Sequence, residues 1–170
     1  MKKILLIIAV FCMCHTVFSQ EMEKVKPKAT NEIKLNLATT LFSSPEISYE
    51  RIWDNNVGLG LSARAVFSDN YDTKYQFTPY CRFYFGESPI KSFFIEGNIG
   101  VIGYKKYVYN YSDYSISSNT QNSLDVGVGL AVGYRYVNKK GLIGEVFLGL
   151  GRTIEDRGYL RCGISMGKLF

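Results

Sequence analysis

Residues 124–137 read LDVGVGLAVGYRYV. Leu124, Val126, Val128, Leu130, Val132, Tyr134 and Tyr136 occupy the even positions. Asp125, Gly127, Gly129, Ala131, Gly133 and Arg135 occupy the odd ones. A β-strand sends alternate residues to opposite faces. One face is therefore a long apolar stripe, and the other is small, glycine-rich and carries an acid and a base. A water-soluble sheet usually turns its apolar side inward and covers the other with Lys, Glu and Thr. The second face here is too small to make a good solvated exterior. The fold depends on which of the two faces points inside.

The rest of the chain repeats the pattern. It has 170 residues, room for one domain, with 46% hydrophobic residues, 15% aromatic, 16 Gly and 4 Pro. Many Tyr, Phe, Val and Gly with few helix-forming runs point to an all-β chain. Eight alternating segments are predicted, at residues 31–42, 46–53, 57–68, 74–85, 93–104, 124–137, 142–153 and 159–170, separated by turn residues such as SSP, DNN and KKG. Each is close to the ~9–11 residues that cross a bilayer when tilted. Short turns alternate with generally longer connections, of which 105–121 is the longest. That is the rhythm of an even-stranded barrel in a membrane. The expected fold is thus an eight-stranded antiparallel up-and-down transmembrane β-barrel. Its apolar face meets lipid, and its small polar face fills a bore that eight strands leave just wide enough for side chains. The last predicted strand closes on Phe170, and outer-membrane barrels commonly end in an aromatic residue.

Residues 1–19 are expected to lie outside the fold. Lys2 and Lys3 precede eleven apolar residues, 4–14, and Val17-Phe18-Ser19 suits cleavage near Ser19/Gln20. This is the pattern of a secretory signal peptide, too short to span a bilayer. Residues 20–30, QEMEKVKPKAT, read as a flexible periplasmic leader, and 31–170 as the outer-membrane barrel. Cleavage would remove Lys2 and Lys3, taking the formal charge from +5 to +3, together with His15, Cys12 and Cys14. The exported chain would keep two cysteines, Cys81 and Cys162, and no histidine. Export leaves the mild positive charge no argument for nucleic acid.

NEIKLNL (31–37), PEISYERIW (45–53), the glycine-rich segment quoted above and the closing GISMGKLF (163–170) resemble a family of short outer-membrane barrels of unknown function from Bacteroidetes, of the small eight-stranded type. The resemblance covers residues 31–170, with one departure at Lys168, where the terminal strand would usually place an aromatic residue. It implies location and fold, and supplies no reaction and no catalytic residue.

The inward stripes hold five acids, Glu46, Glu50, Glu96, Asp125 and Glu145, and five bases, Lys34, Arg64, Arg82, Arg135 and Arg161. Buried charges must be paired, so matched numbers point to a salt-bridge network plugging the bore rather than to a charged pathway. Hairpin register sharpens this. A three-residue KKG loop with Gly141 left-handed sets Arg135 opposite Glu145. The 86–92 turn sets Arg82 opposite Glu96, and the 54–56 turn sets Arg64 opposite Glu46.

Without histidine, Ser–His and Cys–His catalysis and His-based zinc sites are closed. Asp69, Asn70 and Asp72 are too common a loop composition to argue for calcium. No catalytic, cofactor-binding or metal site is expected. Tyr107, Tyr109, Tyr111 and Tyr114 fall in the longest connection. They read either as an interfacial girdle with an extended hairpin or as an interaction surface for protein or glycan. Trp53, Tyr134 and Tyr136 fit a girdle at the short-turn end.

The expected protein is a monomeric, non-enzymatic barrel whose partners are outer-membrane lipid, the barrel-assembly machinery during biogenesis, and an extracellular or periplasmic protein or glycan. The alternatives are a soluble lipocalin-like barrel holding an apolar ligand, and an outer-membrane barrel enzyme. A lipocalin would need the apolar face inward, and an enzyme of this architecture would lean on the missing histidine.

Overall fold

The computed structural model describes residues 31–54, 56–68, 71–85, 91–112 and 115–170, with side chains throughout these except at 54, 106–112 and 115–120. The signal peptide and leader expected over 1–30, and Tyr114, lie outside the described residues. Eight antiparallel strands close into one barrel in sequence order. They are β1 (Asn31–Asn36), β2 (Glu46–Asp54), β3 (Val57–Ala65), β4 (Thr73–Phe85), β5 (Lys91–Ser112), β6 (Ser115–Val137), β7 (Leu142–Thr153) and β8 (Gly158–Leu169). β1 closes the barrel against β8.

The apolar stripe of 124–137 faces outward. Val128 and Leu130 on β6 are 68% and 67% exposed, and Leu150 on β7 is 70% exposed. Between them in sequence, Ala131 and Arg135 are buried in the bore. Aromatic side chains ring both ends of the outer face. Trp53, Phe85, Phe93, Tyr134, Tyr136 and Phe170 are exposed near the short turns, and Phe42, Phe67, Tyr71 and Tyr75 near the opposite end.

The inner glycines are clearance for large side chains. A Cβ added to Gly60 would come within 2.3 Å of the Tyr80 ring. One on Gly133 would come within 2.4 Å of Phe94, and one on Gly151 within 2.1 Å of Tyr159. These contacts are too close for any real Cβ, so the small stripe and the crowded bore are one feature seen from two sides. The β6–β7 turn needs backbone freedom instead. Gly141 takes a left-handed φ of +78°, while Asn138 Oδ1 accepts the amides of Lys140 and Leu142 at 2.8 and 2.9 Å.

Three boundaries differ from the sequence expectation. The first segment is not a strand to residue 42: β1 stops at Asn36, and α1 (Leu37–Leu41) forms one helical turn. Asn36 caps it by accepting the Thr39 amide at 3.3 Å, and its carbonyl accepts the Thr40 hydroxyl at 2.6 Å. Asn and Thr offer the backbone this local alternative to a ladder. β3 ends at Ala65 rather than continuing to 68. The 105–121 connection is mostly strand. β5 and β6 stay paired from Lys105↔Asn122 out to Ser112↔Ser115, consistent with the strand preference of its Tyr, Val and Ile residues. β4 meets β5 only as far as Tyr104, and β7 meets β6 only as far as Gly127. Beyond those points the hairpin projects as a two-stranded ribbon.

Candidate functional site

Strand alternation delivers the charged side chains to the bore, and their length then decides which of them meet. β1 turns Glu32 and Lys34 inward, and β2 turns Glu46 and Glu50 inward. Arg82, Glu96, Arg135, Glu145 and Arg161 come from β4, β5, β6, β7 and β8. All nine are buried, and Glu32, Glu50 and Glu96 have no exposed surface. Arg64 sits half-buried near the loop end.

Two cations are centres of this cluster. Lys34 Nζ lies 2.8 Å from Glu32 Oε1, 2.8 Å from Glu50 Oε2 and 3.0 Å from Glu145 Oε2. Arg82 donates from Nε to Glu96 Oε2 at 2.8 Å, and from Nη1 to Glu145 Oε2 at 2.9 Å and Glu50 Oε2 at 3.1 Å. Its guanidinium also lies 4.2 Å from the Phe94 ring centre and 4.6 Å from that of Tyr80. Arg161 extends the cluster toward the loop end, donating to Glu96 Oε1 at 2.5 Å and Glu46 Oε1 at 2.8 Å. Tyr80 donates to Glu50 Oε2 at 3.1 Å, and Tyr84 donates to Glu50 Oε1. Charge-assisted bonds of this kind are the strong ones, and in a narrow bore they tie non-adjacent strands: Lys34 joins β1 to β7, and Arg161 joins β8 to β5.

The three register pairs form in the ladder, but only one of them is an ion pair. Arg82 lies opposite Glu96 and bonds it. Arg135 lies opposite Glu145, yet its ion pair is with Glu32 of β1, Nη2 to Oε2 at 2.5 Å. Glu46 lies opposite Arg64, yet it accepts from Arg161 and from Asn36, while Arg64 donates to Gln76 at 2.5 Å. Long side chains on a concave wall reach into the bore rather than sideways, so the far wall competes with the facing neighbour.

Glu32 is not among the inward acids that the sequence reading names. The signal was there: it lies two residues from Lys34, on the same face of a strand. Its inclusion makes six inward acids against five bases, and the acid left over is Asp125, which has no ion pair among the described residues.

Cys81 and Cys162 are both free and half-buried, on strands that are not neighbours. Among the described residues no group of three or more His, Cys, Asp or Glu is placed to hold a metal ion, and Asp69 and Asn70 lie outside those residues. Tyr107, Tyr109 and Tyr111 occupy alternate positions of β5 on the projecting ribbon.

No protein-family model and no curated protein matches the chain. Among solved structures, Neisserial surface protein A is matched with a TM-score of 0.43 and 9% identity, over 83% of this chain and 90% of that one. The N-terminal β-barrel domain of Pseudomonas aeruginosa OprF is matched with a TM-score of 0.61 and 16% identity, over 85% of this chain and all of that one. The chain therefore shares the barrel fold of the OprF domain.

Proposed function

We propose that the chain is a non-enzymatic integral outer-membrane β-barrel, of the same kind as the short Bacteroidetes barrels it resembles. In this reading residues 1–19 direct export and are cleaved near Ser19/Gln20, and 20–30 form a periplasmic leader. The barrel-assembly machinery then inserts 31–170 as a monomer. One observation carries the reading. The outer wall is apolar between two aromatic rings, while the charges are inside. A face with Val128, Leu130, Leu148 and Leu150 exposed together is a large apolar patch in water, and an ordinary lipid-facing surface in a bilayer. The opposite arrangement, an apolar bore with a polar exterior, is what a lipocalin-like carrier of an apolar ligand would need. The ion-paired interior serves as a static plug, because side chains from facing walls meet across the bore. Contact with an extracellular protein or glycan falls to the β5–β6 ribbon, on which Tyr107, Tyr109 and Tyr111 share register parity.

The test is membrane fractionation combined with unboiled and boiled gel samples. Recovery with outer membranes and faster migration of the unboiled form are expected. A soluble periplasmic protein whose mobility ignores heating would overturn the proposal.

A further inference from the structure

Asp125 is the unmatched inward acid, and it faces a cavity. It is 4% exposed. Its Oδ1 accepts the Val126 amide at 2.8 Å, and its buried Oδ2 meets no hydrogen-bond donor among the described residues. The other inward acids, Glu32, Glu46, Glu50, Glu96 and Glu145, each touch at least one Lys or Arg. A buried carboxylate oxygen without a partner is costly, so the site calls for a donor.

The cavity lies at the loop end of the bore. It measures about 240 Å³, and Asp125, Asp72, Tyr71, Tyr104, Tyr159 and Arg157 are among the residues lining it. The two buried tyrosine hydroxyls are committed elsewhere. Tyr104 donates to Glu155 at 2.6 Å, and Tyr159 to Asn98 at 2.8 Å. Thr73, Thr153 and Arg157 also line the cavity, with Arg157 engaged on the Tyr104 ring, and none of them donates to Oδ2; a ligand can bring the missing N–H or O–H. Two features select a cation. Asp72 adds a second carboxylate to the wall, and the tyrosine rings offer π faces that attract positive charge. The Tyr104 ring already holds one organic cation, the Arg157 guanidinium, 4.0 Å from its centre. A bare metal ion would want several converging charged ligands, and no group of three or more His, Cys, Asp or Glu is placed to hold one among the described residues. A neutral sugar would leave the carboxylate charge unmatched. A liquid water occupies ~30 Å³, so the cavity has room for an alkylammonium group of a few heavy atoms.

We propose that this cavity is a binding site for a small organic amine, with a primary ammonium donating to Asp125 Oδ2 and its alkyl chain against Tyr71 and Tyr159. The outer-membrane reading adds only that the mouth opens to the cell exterior.

The test uses the full mature chain folded in detergent micelles and titrated with n-butylammonium chloride at constant ionic strength by calorimetry. Tetramethylammonium and methyl glucoside serve as comparison probes. Saturable one-to-one binding is expected for butylammonium. It should be weaker for tetramethylammonium, which has no N–H, and absent for the glucoside. Asp125→Asn should weaken butylammonium binding about ten-fold or more. Tyr71→Ala, at a half-exposed position, should weaken it about two- to five-fold through lost contact with the alkyl chain; should Asp125→Asn not fold, this variant decides. No saturation by butylammonium, binding unchanged in both variants, or a preference for the glucoside would overturn the site. The unboiled-gel mobility of the same samples reports separately on the barrel, so losing the site does not count against the fold or its location.

Discussion

Replacing Arg82 with Met removes the cation that three carboxylates share while keeping an unbranched apolar stem beside Phe94 and Tyr80. Glu50, Glu96 and Glu145 lose contacts of 3.1, 2.8 and 2.9 Å. None is stripped bare, since Lys34 still serves Glu50 and Glu145, and Arg161 still serves Glu96. Breaking a buried ion pair costs roughly 3–5 kcal/mol when the partner is left alone. The remaining cations put Arg82→Met at the lower end, about 3 kcal/mol. The damage should concentrate at Lys34, one ammonium then facing Glu32, Glu50 and Glu145 at 2.8, 2.8 and 3.0 Å with Arg82 gone. Adding Glu145→Gln removes one of those negative charges. The double variant should therefore be more stable than Arg82→Met alone by about 1 kcal/mol or more. Urea unfolding of barrels folded in lipid vesicles, read as folded and unfolded bands on unboiled gels, gives both numbers. A single variant within about 0.5 kcal/mol of wild type, or a second substitution that only adds its own cost, would refute the shared-cation account.

A double-mutant cycle between Arg135→Met and Glu32→Gln should give a coupling of about 1–3 kcal/mol. The same cycle with Glu145→Gln should give a value near zero, although Glu145 is the residue directly opposite Arg135 in the ladder. Gly151→Val should destabilise by roughly 1–3 kcal/mol through its clash with the Tyr159 ring, and Tyr159→Ala in the same chain should recover part of the loss in the same gel assay. Mass spectrometry of unreduced protein should find Cys81 and Cys162 as two free thiols. A disulfide between them would contradict the strand order, because bridged Cα atoms must lie within ~7 Å.

The strand pattern was legible because alternation is a local property. Residues 124–137 state both faces in fourteen letters, and Gly141 with Asn138 marks its turn. Neighbour register followed from turn length, which is why Arg82 and Glu96 could be paired on paper. Partner choice in the bore was not legible. Whether Arg135 turns to Glu145 beside it or to Glu32 on β1 depends on where closure brings β1, and no hairpin records that. The helical turn at Leu37–Leu41 was missed because Leu37, Thr39 and Leu41 also fit a strand's alternation. The cap that decides it is a single Asn36 contact. The ribbon reads as a loop in the sequence because its polar Ser, Asn and Gln residues have turn composition, and pairing along the hairpin overrides that.

β1 is six residues long and meets β8 through five ladder pairs, extended by the mutual backbone bonds of Asn31 and Phe170, so that this seam is as short as the six pairs it makes with β2. Yet it carries Glu32, which pairs with Arg135, and Lys34, which sits between Glu50 and Glu145. An open eight-stranded sheet would part Glu145 from Lys34 and Arg135 from Glu32, leaving each without that counter-ion, while Lys34 would keep Glu50 on the neighbouring β2. Sealing the cylinder and neutralising its contents are therefore a single event. A half-fastened intermediate pays for exposed ladder edges and mismatched charge at once, which gives a very short seam the grip of a latch.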